Sequence, residues 1–217
     1  MDTKPPGHLA EPGTEPQRAG SGDPRSSVSA STPTEGRVPD RTAPTGRDAL
    51  KWLLGRRSIR VYRPGDIPEA QLQHLLEAAM AAPSAVARDP WRFVVVRDRA
   101  RLTDLASLLS NGSMLHRASL AIVVAGDLDA AHDRQLSFLL QDCAAAIQNI
   151  LLAAHMMDLG TCWLGIHPRE ERMMKVSSLL GLPANVVPVS AVAVGHPAEM
   201  KEPRSRYRAE HVHYDHW

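Results

Sequence analysis

The segment GRRSIRVYRP, residues 55–64, carries clustered arginines and a serine directly after an apolar stretch. A second basic segment, KEPRSRYR at residues 201–208, again combines arginines with a serine. Guanidinium groups match the oxygens of phosphate, and charge-assisted hydrogen bonds are stronger than neutral ones. The two segments therefore predict one phosphate site if the fold brings them together, whereas two separate solvated patches are the alternative that charge alone leaves open.

The overall charge of the chain is close to neutral. Its 217 residues give a formal net charge of +1 at pH 7. This balance argues against a general binder of polyanions, so nucleic acid is a poor candidate partner. Cys143 and Cys162 are the only cysteines, and their spacing matches neither a disulfide framework nor a structural metal site. We expect a reducing, cytoplasmic compartment and no bound metal.

The chain divides by composition into a polar tail and one domain. Residues 1–47 consist mainly of Pro, Gly, Ser, Thr and charged residues, with almost no large apolar side chains. Such a segment buries too little surface to offset the entropy of ordering, so we expect a disordered tail. Its first residues lack the apolar core of a secretion signal. Residues 48–217 are long enough for one domain with one core.

Within that domain the apolar pattern alternates between helical and extended types. A helix is predicted after Pro68 and Glu69, and residues 99–109 are also helical in pattern. Buried strands are predicted at residues 91–96, from Leu120 onward, and over the stretch that ends at Gly195. Trp91 and Trp163 are expected to pack in the core, because aromatic side chains usually supply core area.

Residues 136–160, LSFLLQDCAAAIQNILLAAHMMDLG, are the longest apolar stretch and predict a long helix. Asp142, Gln148 and His155 interrupt it, and such groups are costly in the middle of a membrane. We therefore expect a helix buried in protein rather than a membrane span. One small domain rarely surrounds a helix of this length, so a partner subunit that covers one side is expected and a homodimer is predicted.

The order of the motifs resembles that of the nitroreductase family of flavin enzymes. The resemblance spans nearly all of residues 48–217. It is carried by RRSIR, APSAVARDPWRFVVV, DCAAAIQNILLAAHMMDLGTCWLG, LGLP, VAVGHPAE and RSR. It implies an α+β, three-layer fold with a central mixed, mainly antiparallel sheet flanked by helices. It also implies a homodimer with FMN seated where the subunits meet.

By this resemblance the basic segments bind the cofactor. Arg56, Ser58, Arg204 and Arg206 would hold the FMN phosphate. Arg60 would lie toward the pyrimidine edge of the flavin ring, where its charge tunes the reduction potential. Arg57 is included as a weaker candidate, because adjacent side chains on an extended segment point apart.

The resemblance assigns two further segments to the flavin ring. Pro83, Ser84 and Ala85 match a loop that lies beside the ring and ribityl chain, commonly from the other subunit. The stretch GTCWLG matches one whose backbone amides face flavin N5. Gly165, with Leu164 beside it, is therefore expected at the atom that exchanges hydride.

Two positions depart from the family's usual P-S-A-x-N-x-Q-P-W pattern. Ala87 stands at the Asn position and Asp89 at the Gln position. The first removes an amide that contacts the cofactor or its loop. The second introduces a carboxylate that either repels reduced flavin or pairs with Arg88 or Arg92.

The function implied is that of an FMN-dependent oxidoreductase with NADH or NADPH as transient electron donor. A ping-pong hydride transfer through flavin N5 would reduce small molecules such as nitroaromatics, quinones or similar conjugated acceptors. No side chain need act as nucleophile, because the cofactor carries the chemistry. The alternatives are a flavin-binding storage or regulatory protein without efficient turnover, or a specialised flavin enzyme such as a dehydrogenase, dehalogenase or flavin-cleaving enzyme.

Replacing Arg206 with Ala should weaken FMN binding by about 1.5 to 3 kcal/mol, the usual contribution of a hydrogen bond to a charged group. Titration of the cofactor-free protein with FMN measures the change. An unaltered dissociation constant would remove this arginine from the phosphate site.

Overall fold

The computed structural model describes residues 46–217, so nearly all of the expected tail, residues 1–47, lies outside the described residues. The described part folds into an α+β domain. Its helices are α1 (Gly46–Gly55), α2 (Glu69–Met80), α3 (Arg99–Leu108), α4 (Leu136–Met156) and α5 (Glu170–Leu180). Its strands are β1 (Tyr62–Arg63), β2 (Trp91–Val96), β3 (Leu120–Asp127), β4 (Gly160–Gly165) and β5 (Val186–Pro197).

The strands form one five-stranded sheet built around β5. β5 pairs antiparallel with β1, β3 and β4, and β2 pairs antiparallel with β3. A parallel bridge joins Ser58 to Thr161, so the segment that precedes β1 runs beside β4. The expectation of a mixed, mainly antiparallel sheet is confirmed.

Alternate residues of the central strands face two separate cores. On β3, Leu120 and Ile122 pack into the cluster that contains side chains of α2 and α4. Ala121 and Val123, between and beyond them, pack into the cluster that contains side chains of α3 and α5. This two-residue alternation is the pattern of a sheet covered on both faces. The predicted three-layer α+β fold is therefore confirmed.

The long apolar helix is α4, and it lies against the sheet and α2. It is long and apolar enough to cross a membrane by length and composition. In the fold, however, Leu139, Ile147 and Ile150 are fully buried in the core. The carboxylate of Asp142 is also buried, and its Oδ1 accepts a hydrogen bond from the Ala85 amide at 2.9 Å. The buried helix expected from the sequence is thus present, although it ends at Met156 rather than at residue 160.

Two glycines that face each other across β4 and β5 allow the chain before β1 to lie close to the sheet. Gly160 and Gly195 are partners in the register. A Cβ at Gly160 would lie 2.8 Å from Cγ2 of Ile59, and one at Gly195 would lie 2.8 Å from Cδ1 of Tyr62. The Tyr62 hydroxyl donates to the Ile59 carbonyl at 2.7 Å, and burial raises the pKa of Tyr62, so that it stays a neutral donor.

Replacing Gly195 with Ala should lower the free energy of unfolding by about 1 to 3 kcal/mol, because the new methyl group overlaps the buried Tyr62 ring. Urea unfolding measures this change. Gly165→Ala is the matched control, since its Cβ would meet only the His167 carbonyl oxygen at 4.0 Å, and we expect its stability to equal that of the wild type. Equal stability of both variants would contradict the packing argument.

Candidate active site

The two basic segments converge on one open cavity of about 480 Å³. We call it the arginine cavity. Its walls come from the first basic segment, from the second, and from the end of α1. They are formed by Leu53, Leu54, Arg56, Arg57, Ser58, Arg60, Lys201, Arg204, Ser205, Arg206 and Tyr207. All the residues predicted to hold a phosphate therefore lie around one space, including Arg57, which the sequence had marked as the weaker candidate.

Like charges are held close together in the arginine cavity. The pKa of Arg56 is lowered, first by partial burial and then by the charges of Arg206 and Arg57. Arg57 is fixed by a hydrogen bond from its Nη1 to the carbonyl of Glu202. Repulsion among fixed cations is relieved when an anion lies between them, so the cavity favours a multiply charged anion.

The first basic segment is held at the edge of the sheet by backbone pairing. The Ile59 amide donates to the Thr161 carbonyl at 2.9 Å, and Ser58 forms a parallel bridge with Thr161. The side chains of Ile59 and Tyr62 lie over Gly160, which gives the segment a fixed height above the sheet.

Glu199 and Lys201 tie the second basic segment to the first. The Arg60 amide donates to Oε1 of Glu199 at 2.6 Å, and Nζ of Lys201 donates to the same oxygen at 2.9 Å. Lys201 also donates to the Ser58 carbonyl at 2.9 Å. Sequence reasoning had assigned no role to either residue, because Arg60 and Glu199 are 139 positions apart.

The environment of Glu199 keeps its carboxyl group ionised. Burial alone would raise its pKa. Hydrogen bonds from the Arg60 amide and from Lys201, together with the charge of Lys201, outweigh that effect and lower the pKa from its usual 4.5. The carboxylate thus offsets part of the positive charge beside the arginine cavity.

A second cavity, of about 410 Å³, lies along β4. We call it the Gly165 cavity. One wall is β4 itself, and the opposite wall comes from the loop after α3 and from the first turn of α5. The lining residues are Arg60, Leu109, Ser110, Asn111, Ser113, Met114, Cys162, Trp163, Leu164, Gly165 and Arg172. Because Arg60 lines both cavities, the two are neighbours.

Backbone groups of alternate β4 residues face the Gly165 cavity. The Thr161 carbonyl points away from β5, since it accepts from the Ile59 amide. The register of β4 with β5 is continuous through Gly165, and backbone direction repeats every two residues. Trp163 and Gly165 therefore also direct their N–H and C=O groups away from β5. In agreement, Arg172 Nη1 donates to the Gly165 carbonyl at 2.7 Å.

Of the two residues predicted to face flavin N5, Gly165 rather than Leu164 directs its amide toward this cavity. By the same alternation the backbone of Leu164 faces β5. A Cβ at Gly165 would meet no atom of the described chain closer than 4.0 Å, so internal packing does not demand glycine there. The missing side chain instead leaves room for a flat ligand to approach the amide.

Trp163 and Arg172 are two of the lining residues that sequence reasoning did not place at a site. Trp91 is buried at 6% exposure, as expected, whereas Trp163 is 39% exposed and lines the cavity. The sequence around Trp163 predicted a strand. It did not show which face or edge of that strand would be exposed to a cavity. Nothing in the local sequence of α5 marks Arg172, because its contact with Gly165 depends on how the helix returns to the strand.

Comparison with known proteins identifies the family. The model of the family described as "Nitroreductase family" matches residues 53–112 and 104–196. This chain belongs to the nitroreductase family. A relative from Archaeoglobus fulgidus, named "Putative NADH dehydrogenase/NAD(P)H nitroreductase", is 42% identical over 173 residues, which cover 78% of this chain and 99% of that protein.

Solved structures of similar proteins share the nitroreductase fold. A protein from Bacteroides thetaiotaomicron with the same name as the archaeal relative is 38% identical, with a TM-score of 0.74 and coverage of 80% of this chain and 100% of the other. A nitroreductase-named protein from Desulfovibrio desulfuricans, solved in complex with FMN, is 33% identical, with a TM-score of 0.67 and coverage of 77% and 96%.

The loop at Pro83, Ser84 and Ala85, which was expected beside the flavin, lines neither the arginine cavity nor the Gly165 cavity. It is fastened instead to α4 through the hydrogen bond from the Ala85 amide to Asp142. The Ser84 hydroxyl donates to Oδ1 of Asp89 at 2.6 Å. The Asp89 carboxylate thus accepts from a residue of its own loop. Of the two alternatives stated for it, the ion pair with Arg88 or Arg92 is not formed among the described residues, and repulsion of reduced flavin stays a prediction.

Arg92 forms an ion pair of 2.9 Å with Asp127, and it donates to the backbone carbonyl of Asp89, not to its carboxylate, at 3.2 Å. The loop itself has an unusual backbone: Val86, Ala87 and Asp89 have φ angles of 53°, 52° and 50°, which non-glycine residues seldom adopt. Val86 is 72% exposed at the tip. The loop of this nitroreductase-family member thus presents an apolar tip held in a strained conformation, a feature that often marks functional segments.

Replacing Glu199 with Gln should lower the free energy of unfolding at neutral pH. It should also reduce the amount by which this free energy falls between neutral and acid pH. Because the folded-state pKa of Glu199 is below 4.5, its stabilisation is complete above pH 4.5 and is lost as the pH falls through the folded-state value. Urea unfolding at neutral and acid pH measures both effects. Glu202→Gln, at a neighbouring exposed carboxylate, is the control that should retain the wild-type dependence. The same acid dependence in Glu199→Gln as in the wild type would contradict the proposed role of the carboxylate.

Proposed function

We propose that the protein is an NAD(P)H-dependent FMN oxidoreductase that reduces small conjugated acceptors. The single observation that carries this proposal is the convergence of both basic segments on one cavity that adjoins the exposed amide of Gly165. Membership of the nitroreductase family and the FMN complex of the Desulfovibrio desulfuricans relative support it.

The arginine cavity suits the phosphate of FMN. Arg56, Arg204 and Arg206 supply forked donors, and the Ser58 hydroxyl adds a neutral one. Arg57 neutralises further charge from the same wall. The first segment is fixed on β4, and the second is held at Lys201 by Glu199, which reduces the reorganisation needed to bind the anion.

The Gly165 cavity suits the flavin ring. The Gly165 amide points into it and would donate to flavin N5, while Arg60, at the junction of the two cavities, would lie near the pyrimidine edge. When bound, FMN supplies two-electron chemistry in which NAD(P)H, one proton and an oxidised acceptor give NAD(P)+ and the acceptor reduced by two electrons and two protons. The chain positions the ring and sets the charge around it.

Side-chain nucleophiles play no part in this proposal. Cys162 lines the cavity, but burial raises the pKa of its thiol despite the opposing charges of Arg60, Lys201 and Arg56. A protonated thiol is a poor nucleophile.

The two cysteines are both free and buried, in keeping with a cytoplasmic location.

The shape of the site supports a ping-pong order. One open cavity adjoins the Gly165 amide, so donor and acceptor would occupy the same space in turn. The loop between α3 and β3 forms one wall of this cavity and leaves it open to solvent. Flat acceptors such as nitroaromatics and quinones fit this access.

A homodimer would complete the site. On α1 the apolar side chains are exposed by 41% to 61%, and two of them border the arginine cavity; they are Leu50, Trp52, Leu53 and Leu54. Exposed apolar surface of this kind marks an interface. The Pro83–Ala85 loop, which lines neither the arginine cavity nor the Gly165 cavity, would then border the flavin of the partner.

The proposal is tested on the purified protein by absorption spectroscopy. We expect a yellow protein that releases FMN on denaturation, loses its visible absorption when NADH or NADPH is added without oxygen, and regains it when a quinone is added. Arg56→Ala should retain less FMN, whereas Arg101→Ala, at an exposed arginine of α3, should retain as much as the wild type. A protein that does not take up FMN contradicts the proposal, and a yellow protein that neither nucleotide reduces indicates flavin binding without turnover.

A further inference from the structure

We propose that the Gly165 cavity prefers acceptors that carry an anionic group, such as a carboxylate or a sulfonate, and that Arg172 binds this group. The inference rests on the proposed function, because it concerns the acceptor that enters beside the flavin ring.

Arg172 is held in a fixed position on the cavity wall. Its Nη1 donates to the Gly165 carbonyl at 2.7 Å, and its Nη2 donates to the Ser110 hydroxyl at 2.6 Å. Both acceptors are neutral. A guanidinium group has five N–H donors and keeps its positive charge, so donors remain for a ligand.

The fold specifies this position through two tight local structures. Arg172 lies in the first turn of α5, which is anchored to the core by the fully buried Val176. Ser110 lies in the loop after α3, where the Gly112 amide donates to the Leu109 carbonyl at 2.7 Å. A Cβ at Gly112 would lie 2.6 Å from the Ala106 carbonyl oxygen, so only glycine lets this loop fold back so closely.

The charge of the Gly165 cavity is positive. Arg60 and Arg172 line it together with neutral polar residues, and none of the described lining residues is Asp or Glu. Of the two acids in the first turn of α5, Glu170 and Glu171, the one next to Arg172 is Glu171, which forms an ion pair with Lys175 at 2.6 Å. Among residues 49–217, whose side chains the structure describes, no carboxylate lies within ion-pair distance of Arg172, so its charge is available to an incoming anion.

The two arginines of this cavity have different positions and therefore different roles. Arg60 also lines the arginine cavity and lies on the side from which the cofactor would enter. Arg172 does not line that cavity and contacts Gly165 from the α5 side. An anionic group on the acceptor would meet Arg172, while its conjugated part lies along β4 beside the Gly165 amide.

The test compares two acceptors that differ mainly in charge, 4-nitrobenzoate and its methyl ester, on the FMN-loaded protein. The measured quantity is the ratio of kcat/KM for the acid to kcat/KM for the ester. We expect the wild type to favour the acid. Arg172→Met, which is neutral and of similar length, should lower the ratio about tenfold or more, because a charge-assisted hydrogen bond is lost.

Two further variants separate charge from geometry. Arg172→Lys keeps the charge without the planar fork and should give an intermediate ratio. Lys175→Met removes a positive charge from the exposed face of the same helix, away from the cavity, and should leave the ratio at the wild-type value. A loss of preference in Lys175→Met equal to that in Arg172→Met would overturn the inference, since general charge would then be the cause.

A binding measurement gives a readout besides activity. Calorimetric titration of the FMN-loaded protein should show that benzoate binds more tightly than benzamide, and that Arg172→Met removes the difference. Equal binding of both by the wild type overturns the inference while leaving the proposed function intact. A lower FMN affinity in Arg172→Met with an unchanged acid-to-ester ratio also overturns it, by assigning Arg172 to the cofactor. Protein that binds no FMN would instead contradict the proposed function.

Discussion

The contact of Ile59 and Tyr62 with two facing glycines of the sheet determines where the basic side chains lie. Gly160 and Gly195 leave a depression across β4 and β5 that these two side chains fill. The depression fixes the height of the first basic segment, and backbone pairing with Thr161 fixes its register. The arginines are then placed by the core rather than by their own interactions, which is necessary because their mutual repulsion would disperse them on a mobile loop.

The same edge of the sheet serves both parts of the site. On one side β4 pairs with β5 along its whole length, and on the other side the described chain bridges it at Thr161. The backbone groups of Gly165 on that other side remain for other partners. Thr161 uses its carbonyl to hold the basic segment, and Gly165 leaves its amide facing a cavity. One strand thus sets the distance between the phosphate position and the amide that would face the reacting atom. Glu199 then joins the two basic segments, because it accepts hydrogen bonds from the Arg60 amide and from Lys201.

Local sequence patterns predicted most helices and strands well. The residues that these patterns missed act through contacts between distant parts of the chain. The apolar, β-branched run at Trp91–Val96 is bounded by Pro90 and by charged residues, and the strand has the predicted limits. The apolar run through α4 continues to Gly160 without a change of composition, so sequence did not show that the helix ends at Met156 and a strand begins at Gly160. Glu199 and Arg172 act on residues distant in the chain, and only the folded sheet brings these groups together.

The central claim is that the arginine cavity binds a phosphate attached to the flavin, and a comparison of FMN with riboflavin tests it most directly. Riboflavin has the same ring and ribityl chain but no phosphate. Titration of cofactor-free protein should show that FMN binds about 100-fold more tightly or better, since at least two charge-assisted hydrogen bonds are involved. The difference should narrow as salt screens the cavity. Equal affinity for the two flavins at low salt would contradict the account.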